Sequence, residues 1–258
     1  MSKPYNSSTT AEEIVAHVGS RIKGKVILTT GVSPNGLGAV FCAAVAKASP
    51  ALLILAGRNP SRVEETTKAI TDANPGVNVR ALALDLASLD SVRKAAREVN
   101  SWPDVDHIDV LVNNAAIMAT DFALVDGIES QFATNHVGPF LFTNLIMPKI
   151  LASTAPRVVN VSSDGHRFHP IRFTDYNFEV GAKHNALDSA SNLYKNGELY
   201  NRWYAYGQSK TANMLMALSL AEKLGKRGLV AASLHPGVIL TSLGSHIDWD
   251  IESDALSA

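Results

Sequence analysis

The sequence predicts an α/β fold, one doubly wound parallel sheet of at least six strands with helices on both faces. Three observations carry that prediction. Short, nearly continuous apolar runs recur at residues 25–30, 51–56, 77–84, 108–113, 157–162 and 229–234. Strands without a polar side are covered on both faces, as in parallel sheets. Segments with helical spacing lie between them, near 37–49, 60–73, 88–101, 128–152 and 205–224. Strands alternating with helices in this way close a parallel sheet through right-handed crossovers. Finally, a glycine-bearing turn follows the first strand, and such sheets bind ligands beyond the carboxyl ends of their strands.

The elements follow in order. Met1 to Thr10 is polar, lacks the apolar core of a secretory signal, and is expected to be unstructured. A short helix should begin at Ala11: Thr9 and Thr10 are candidate caps, Glu12 and Glu13 stand three residues later, and Ile14, Val15, Val18 and Ile22 recur at helical spacing. The alternating strands and helices then run from residue 25 to about 234. Two stretches break the rhythm. Asp164 to Trp203 is polar, contains aromatics and has no clear period, and loops of that length are usually functional or disordered. After Thr241 no segment reads as a strand.

Composition narrows the function. The chain of 258 residues has 23 basic and 24 acidic residues and a formal net charge of −1. No single-signed field steers it to nucleic acid or to an anionic membrane. No apolar stretch approaches the roughly 20 residues of a membrane span. Cys42 is the only cysteine, so no intramolecular disulfide can form, and a reducing, cytoplasmic home is expected. It lies in an apolar run and is read as a packed helix residue.

Thr30-Gly31-Val32-Ser33-Pro34-Asn35-Gly36-Leu37-Gly38 joins the first strand to a helix. Its glycines let the backbone approach a pyrophosphate, which a helix N-terminus stabilises. Strand-to-helix turns need glycine for steric reasons too. As the first such turn of an alternating chain, however, it stands where a Rossmann-type dinucleotide site belongs. The second strand ends at Gly57-Arg58. NAD sites usually place a carboxylate there for the ribose 2′-hydroxyl, whereas a guanidinium suits a 2′-phosphate, so the expected cofactor is NADP(H). Residues 1–22 are thus read as a tail and short helix. Residues 23–258 are read as one dinucleotide-binding domain with an insertion near 164–203.

Tyr206-Gly207-Gln208-Ser209-Lys210 sets a phenol and an ammonium four residues apart on one helix face. A free tyrosine, with a pKa of about 10, is a poor base near neutrality, and a neighbouring cation lowers that value. The spacing alone is common. The ordered set is not: the glycine turn, Asp85-Leu86, Asn113-Asn114-Ala115-Ala116, Asn135, Val161-Ser162-Ser163, Tyr206/Lys210 and Pro236-Gly237 with Thr241. From about Ile22 to Thr241 it resembles the short-chain dehydrogenase/reductase family. Residues 162–168, 205–213 and 234–237 are most similar to the retinol-dehydrogenase and WW-domain-oxidoreductase branch, with fungal members the nearest kind.

The resemblance implies roles. Ser163, in register with Asn160, would polarise a carbonyl, Tyr206 would exchange the proton, and Lys210 would lower the tyrosine pKa and hold ribose hydroxyls. Asn135 would complete the catalytic group. Gly31, Ser33, Asn35, Gly36, Leu37 and Gly38 would surround the pyrophosphate. Asp85 and Leu86 would meet the adenine and Asn114 and Ala115 the ribose. Pro236, Gly237, Val238 and Thr241 would hold the nicotinamide. Ser162 should point away from Ser163 on the alternating strand. Pro139 has no N–H to offer the Asn135 carbonyl, so a kink at Gly138-Pro139 is expected, leaving that carbonyl free. His166 and His169 could line a pocket or lie in a solvated loop, and His235 reads as a structural hydrogen-bonder. No metal-ligand spacing is present.

The chain also departs from the family pattern. Four residues separate Gly31 from Gly36 where three are usual, and residues 180–200 look like added sequence. After Thr241 an acidic tail (Asp248, Asp250, Glu252, Asp254) replaces the substrate-covering helices and last strand, so those regions are expected to be missing or supplied by a partner copy. The expected activity is hydride transfer between NADP(H) and the carbonyl or alcohol carbon of a lipophilic or aromatic small molecule. The alternatives are a cofactor-binding regulator without turnover and an inactive truncated member.

Overall fold

The computed structural model describes residues 5–178, 200–239 and 241–248. Six parallel strands form one sheet: β1 (Val26–Thr30), β2 (Leu52–Gly57), β3 (Val79–Ala83), β4 (Val110–Asn113), β7 (Arg157–Val161) and β8 (Val230–Leu234). Their order is β3-β2-β1-β4-β7-β8. The order reverses at β1, so a crevice opens between the ends of β1 and β4. A two-stranded antiparallel hairpin, β5 (Leu124–Val125) and β6 (Ile128–Glu129), stands apart.

Alternation along the strands divides the core. Val26 and Leu28 of β1, with Ile54 and Ala56 of β2, pack on one face against α4 (Leu89–Ser101), α6 (Gly138–Leu145) and α8 (Arg202–Leu224). Ile27, Leu53 and Leu55 pack on the other against α1 (Ala11–Ile22), α2 (Leu37–Ala46) and α3 (Pro60–Ala73). Burial on both sides explains why β1 reads as an unbroken apolar run. Cys42 is fully buried in the second cluster, as the sequence suggested.

Three expectations need correction. Residues 5–10 are not shapeless: Asn6 Oδ1 accepts the Ser8 N–H at 2.9 Å, and Thr10 and Glu13 close a reciprocal capping box on α1. Nor is 128–152 one helix. It opens on the hairpin and continues as α5 (Ser130–Phe132), a π-helical turn (Ala133–Val137), α6 and α7 (Met147–Leu151). Lastly, the kink expected at Gly138-Pro139 is a π-bulge just before it, in which the Gly138 N–H reaches the Ala133 carbonyl. With no N–H at Pro139 the ladder cannot continue in α register, and one wider turn absorbs the gap. The added residues 180–199 and the acidic Asp250, Glu252 and Asp254 lie outside the described residues.

Candidate active site

Every parallel strand contributes its carboxyl end to one cleft of about 1050 Å³. At the cofactor end, Gly31 has φ +72°, and a Cβ there would lie 2.6 Å from the Ala115 Cα. Only glycine permits that approach. The Asn114 amide secures it, donating to the Thr30 and Gly31 carbonyls at 2.8 and 3.0 Å. The extra residue of the turn is accommodated by Asn35 at φ +61°, a region asparagine tolerates. The Gly36 N–H closes the turn on the Ser33 carbonyl at 3.1 Å. Gly36 precedes α2 with no side-chain cap, so the first N–H groups of that helix face the cleft.

Of the sequence-predicted cofactor residues, Gly31, Ser33, Gly36, Leu37, Arg58, Asp85, Leu86, Asn114, Ala115, Tyr206, Lys210, Pro236, Gly237, Val238 and Thr241 line the cleft. Asn35 and Gly38 do not. Gly38 instead packs helix to strand, where a Cβ would meet Asn114 Nδ2 and the Gly31 carbonyl, both at 2.7 Å. Arg62, which the sequence reading missed, lines the cleft beside Arg58. Neither guanidinium pairs with a carboxylate among the described residues. Four-residue spacing from Arg58 at a helix start was the available signal.

At the other end, α8 presents Tyr206 and Lys210, both buried. Ser163, just past the end of β7, lines the cleft with Tyr206, its Oγ accepting the Gly165 N–H at 3.0 Å. Gly165 fits between them: a Cβ there would lie 2.9 Å from Tyr206 Cε1 and 3.3 Å from Ser163 Oγ. Ser162 turns inward and donates to the Lys210 carbonyl at 2.8 Å. Lys210 Nζ donates to the Val161 carbonyl at 3.1 Å and lies 5.5 Å from the Tyr206 ring centroid.

The electrostatics differ from the expected pattern. Burial pushes the Tyr206 phenol up, partly opposed by the neighbouring Ser163 hydroxyl. Burial also pulls the Lys210 ammonium down to about 8. Desolvation is thus the largest influence on each group and disfavours the charged form of both.

Asn135 does not reach the cleft. Its amide brackets Ile117, accepting the N–H and donating to the carbonyl at 2.8 Å each, and donates to Ser209 Oγ at 3.0 Å. His166 and His169 are absent from the cleft wall, their Nδ1 atoms bound to the Ser163 and Pro170 carbonyls. His235 Nδ1 accepts the Asp164 N–H at 3.2 Å, the structural role expected. Phe168, Trp203, Met118 and Ile247 line the cleft near Tyr206. Trp203 meets the edges of Phe168 and Tyr206 at centroid distances of 6.0 and 6.5 Å. No cluster of three His, Cys, Asp or Glu residues suited to a metal occurs among the described residues, nor any helix long and apolar enough to cross a membrane.

Known proteins agree with this geometry. The short chain dehydrogenase family matches residues 25–184. An oxidoreductase of Fusarium equiseti, fscI, is 34% identical over 246 residues, covering 90% of this chain and 94% of its own. Mouse retinol dehydrogenase 13 is 36% identical over 226 residues, covering 87% of this chain and 61% of its own. The Penicillium roqueforti short-chain dehydrogenase/reductase prx1 is 38% identical over 88% of this chain and 61% of its own. The chain thus spans about three fifths of the length of the last two. Among solved structures, the Pseudomonas aeruginosa RhlG/NADP active-site complex superposes with a TM-score of 0.65 at 22% identity, covering 92% of this chain and 82% of that one.

The chain belongs to the short-chain dehydrogenase/reductase family, nicotinamide-dependent oxidoreductases built on the fold described above. Within it, the chain falls on the retinol-dehydrogenase-like branch.

Proposed function

We propose that this protein is an NADP(H)-dependent reductase of lipophilic or aromatic aldehydes and ketones, with Tyr206 as the proton donor. One observation carries the reading: a single cleft is lined at one end by Arg58 and Arg62, which pair with no carboxylate among the described residues, and at the other by Ser163 and Tyr206 beside aromatic side chains. The close approach at Gly31 and the uncapped start of α2 fit a pyrophosphate. Arg58 and Arg62 suit the 2′-phosphate by charge and fork geometry. Asp85 would meet the adenine amino group, Asn114 and Ala115 the ribose, and Pro236, Gly237, Val238 and Thr241 the nicotinamide end. The bound cofactor supplies the hydride.

The chain's own residues then handle the proton. Ser163 Oγ hydrogen-bonds the substrate carbonyl oxygen and orients it toward Tyr206. The phenol, neutral near pH 7 and kept so by burial, delivers its proton to that oxygen as negative charge develops. Lys210, beside the tyrosine, holds ribose hydroxyls and steadies the tyrosinate left behind. Phe168, Trp203, Met118 and Ile247 exclude water and favour apolar substrates.

Fluorescence titration with NADPH and NADH, followed by turnover of an aldehyde and ketone panel, tests the reading. NADPH should bind at least about tenfold more tightly, about 1.4 kcal/mol, and Arg58→Ala should erase most of that preference. Equal affinity would overturn the NADP(H) assignment. Binding without turnover of any carbonyl would identify a regulator instead.

A further inference from the structure

Ile117, Met118 and Thr120 line the cleft, and Ala119 behind them is buried against Trp203 and Ile247. Ala119 has φ +49°, a conformation an alanine adopts only when its surroundings impose it. The Gln131 side chain does so: its Oε1 accepts the Ala119 N–H at 2.8 Å. Its Nε2 donates to the Tyr200 hydroxyl and to the Arg202 carbonyl, both at 2.9 Å. One amide thereby ties the strained wall to the start of the helix that carries Trp203 and Tyr206.

The Ala119 N–H and the Arg202 carbonyl fix the orientation of that amide, and behind it lies Glu129, which is fully buried. Oε1 accepts the Gln131 N–H at 2.9 Å and the Tyr200 O–H at 2.8 Å, while Oε2 accepts the Phe132 N–H at 2.7 Å. The Tyr200 hydroxyl accepts from Gln131 Nε2 and has two acceptors in reach, Glu129 Oε1 and the Thr120 carbonyl at 3.2 Å. Burial pushes the Glu129 carboxyl up, partly opposed by the Gln131 and Phe132 N–H groups. Asn177 Oδ1 holds the Glu129 backbone N–H at 2.8 Å and completes the cluster.

We propose that Gln131, backed by Glu129 and Tyr200, is a positioning residue that sets the substrate side of the cleft by fixing the Ala119 backbone between Met118 and Thr120, without bearing on the cofactor end. The proposal rests on the carbonyl-reductase reading. Its test separates the two. Trp fluorescence quenching measures 2-naphthaldehyde binding to the NADP⁺ complex, and hydrogen exchange is followed at the Ala119 amide and across residues 206–216.

In Gln131→Leu, naphthaldehyde affinity should fall at least fivefold, NADP⁺ affinity should stay within twofold, and the Ala119 amide should exchange at least tenfold faster. Exchange across 206–216 should be unchanged. Glu129→Gln, which sets an amide NH₂ against a backbone or phenolic donor while retaining Gln131, should move the same readouts less. Unaltered Ala119 protection, or joint loss of both affinities with faster exchange across 206–216, would overturn the proposal. If the wild type binds NADP⁺ but no naphthaldehyde, the substrate reading fails, and the exchange pattern alone decides whether Gln131 holds the wall.

Discussion

At the cofactor end of the cleft, backbone meets backbone: Gly31 lies against Ala115, the Gly36 N–H closes on Ser33, and one asparagine amide ties the two strand ends. The substrate end is built differently. There the backbone is held at a distance by buried side chains, with Gln131 on Ala119, Asn135 on Ile117, and Gln208 between Arg172 and Tyr176. An Arg172–Asp175 ion pair, both side chains 8% exposed, braces the same region. The first kind of construction should be sensitive to added atoms and the second to lost polarity.

The largest effect should come where the substrate end performs chemistry. Tyr206→Phe removes the proposed proton donor and should lower carbonyl turnover by about 10²- to 10⁴-fold, with NADPH affinity, measured by fluorescence, within about twofold. Polarity loss comes next. Asp175→Ala breaks the buried ion pair with Arg172 and should cost about 3 kcal/mol in urea unfolding. Replacing Asp164 of the exposed Asp164–Arg167 pair should cost well under 1 kcal/mol.

Added atoms break the other end. Gly31→Ala places a methyl 2.6 Å from the Ala115 Cα at φ +72° and should destabilise by about 1–3 kcal/mol, with a matching loss of NADPH affinity. An unaffected Gly31→Ala variant would show that the strand ends separate freely and that the contrast between the two ends is false.

A smaller, pH-dependent effect marks Lys210. Its folded-state value of about 8 lies below the ordinary 10.5, so the unfolded chain holds that proton more tightly. The penalty is therefore full below about pH 8 and is relieved as pH rises from 8 toward 10.5. Stability from denaturant titrations should carry a rising contribution across that window, absent in Lys210→Met. Smallest of all is Cys42: burial pushes its thiol up to about 12, and thiol reagents should leave it unlabelled in the native protein.

Much of the cofactor end was legible because its determinants are local. Apolar runs announced the strands, the Gly31 to Gly38 turn announced the crevice, and Arg58 stood at a strand end. Ser163, Tyr206 and Lys210 were legible for another reason, the order of their motifs along the chain. The hairpin was missed although Asp126-Gly127, both at positive φ, is a strong two-residue turn signal between apolar neighbours. The helical pattern from Ser130 onward had been extended backward over it. Arg62 was overlooked because a single arginine in a helix reads as surface.

By itself, then, the sequence determined the parallel sheet, the position of the crevice, and the serine, tyrosine and lysine brought to it, since periodicity, turn chemistry and motif order are properties of neighbours in the chain. Tertiary structure alone decided that Tyr206 and Lys210 are both buried, and that the Asn135 amide bonds Ile117 and Ser209. It also decided that Glu129, Gln131 and Tyr200 meet behind the Met118–Thr120 wall of the cleft. Desolvation and buried hydrogen bonds depend on which distant groups fold together, here Gln131 with Tyr200, 69 residues apart, and no local pattern records that.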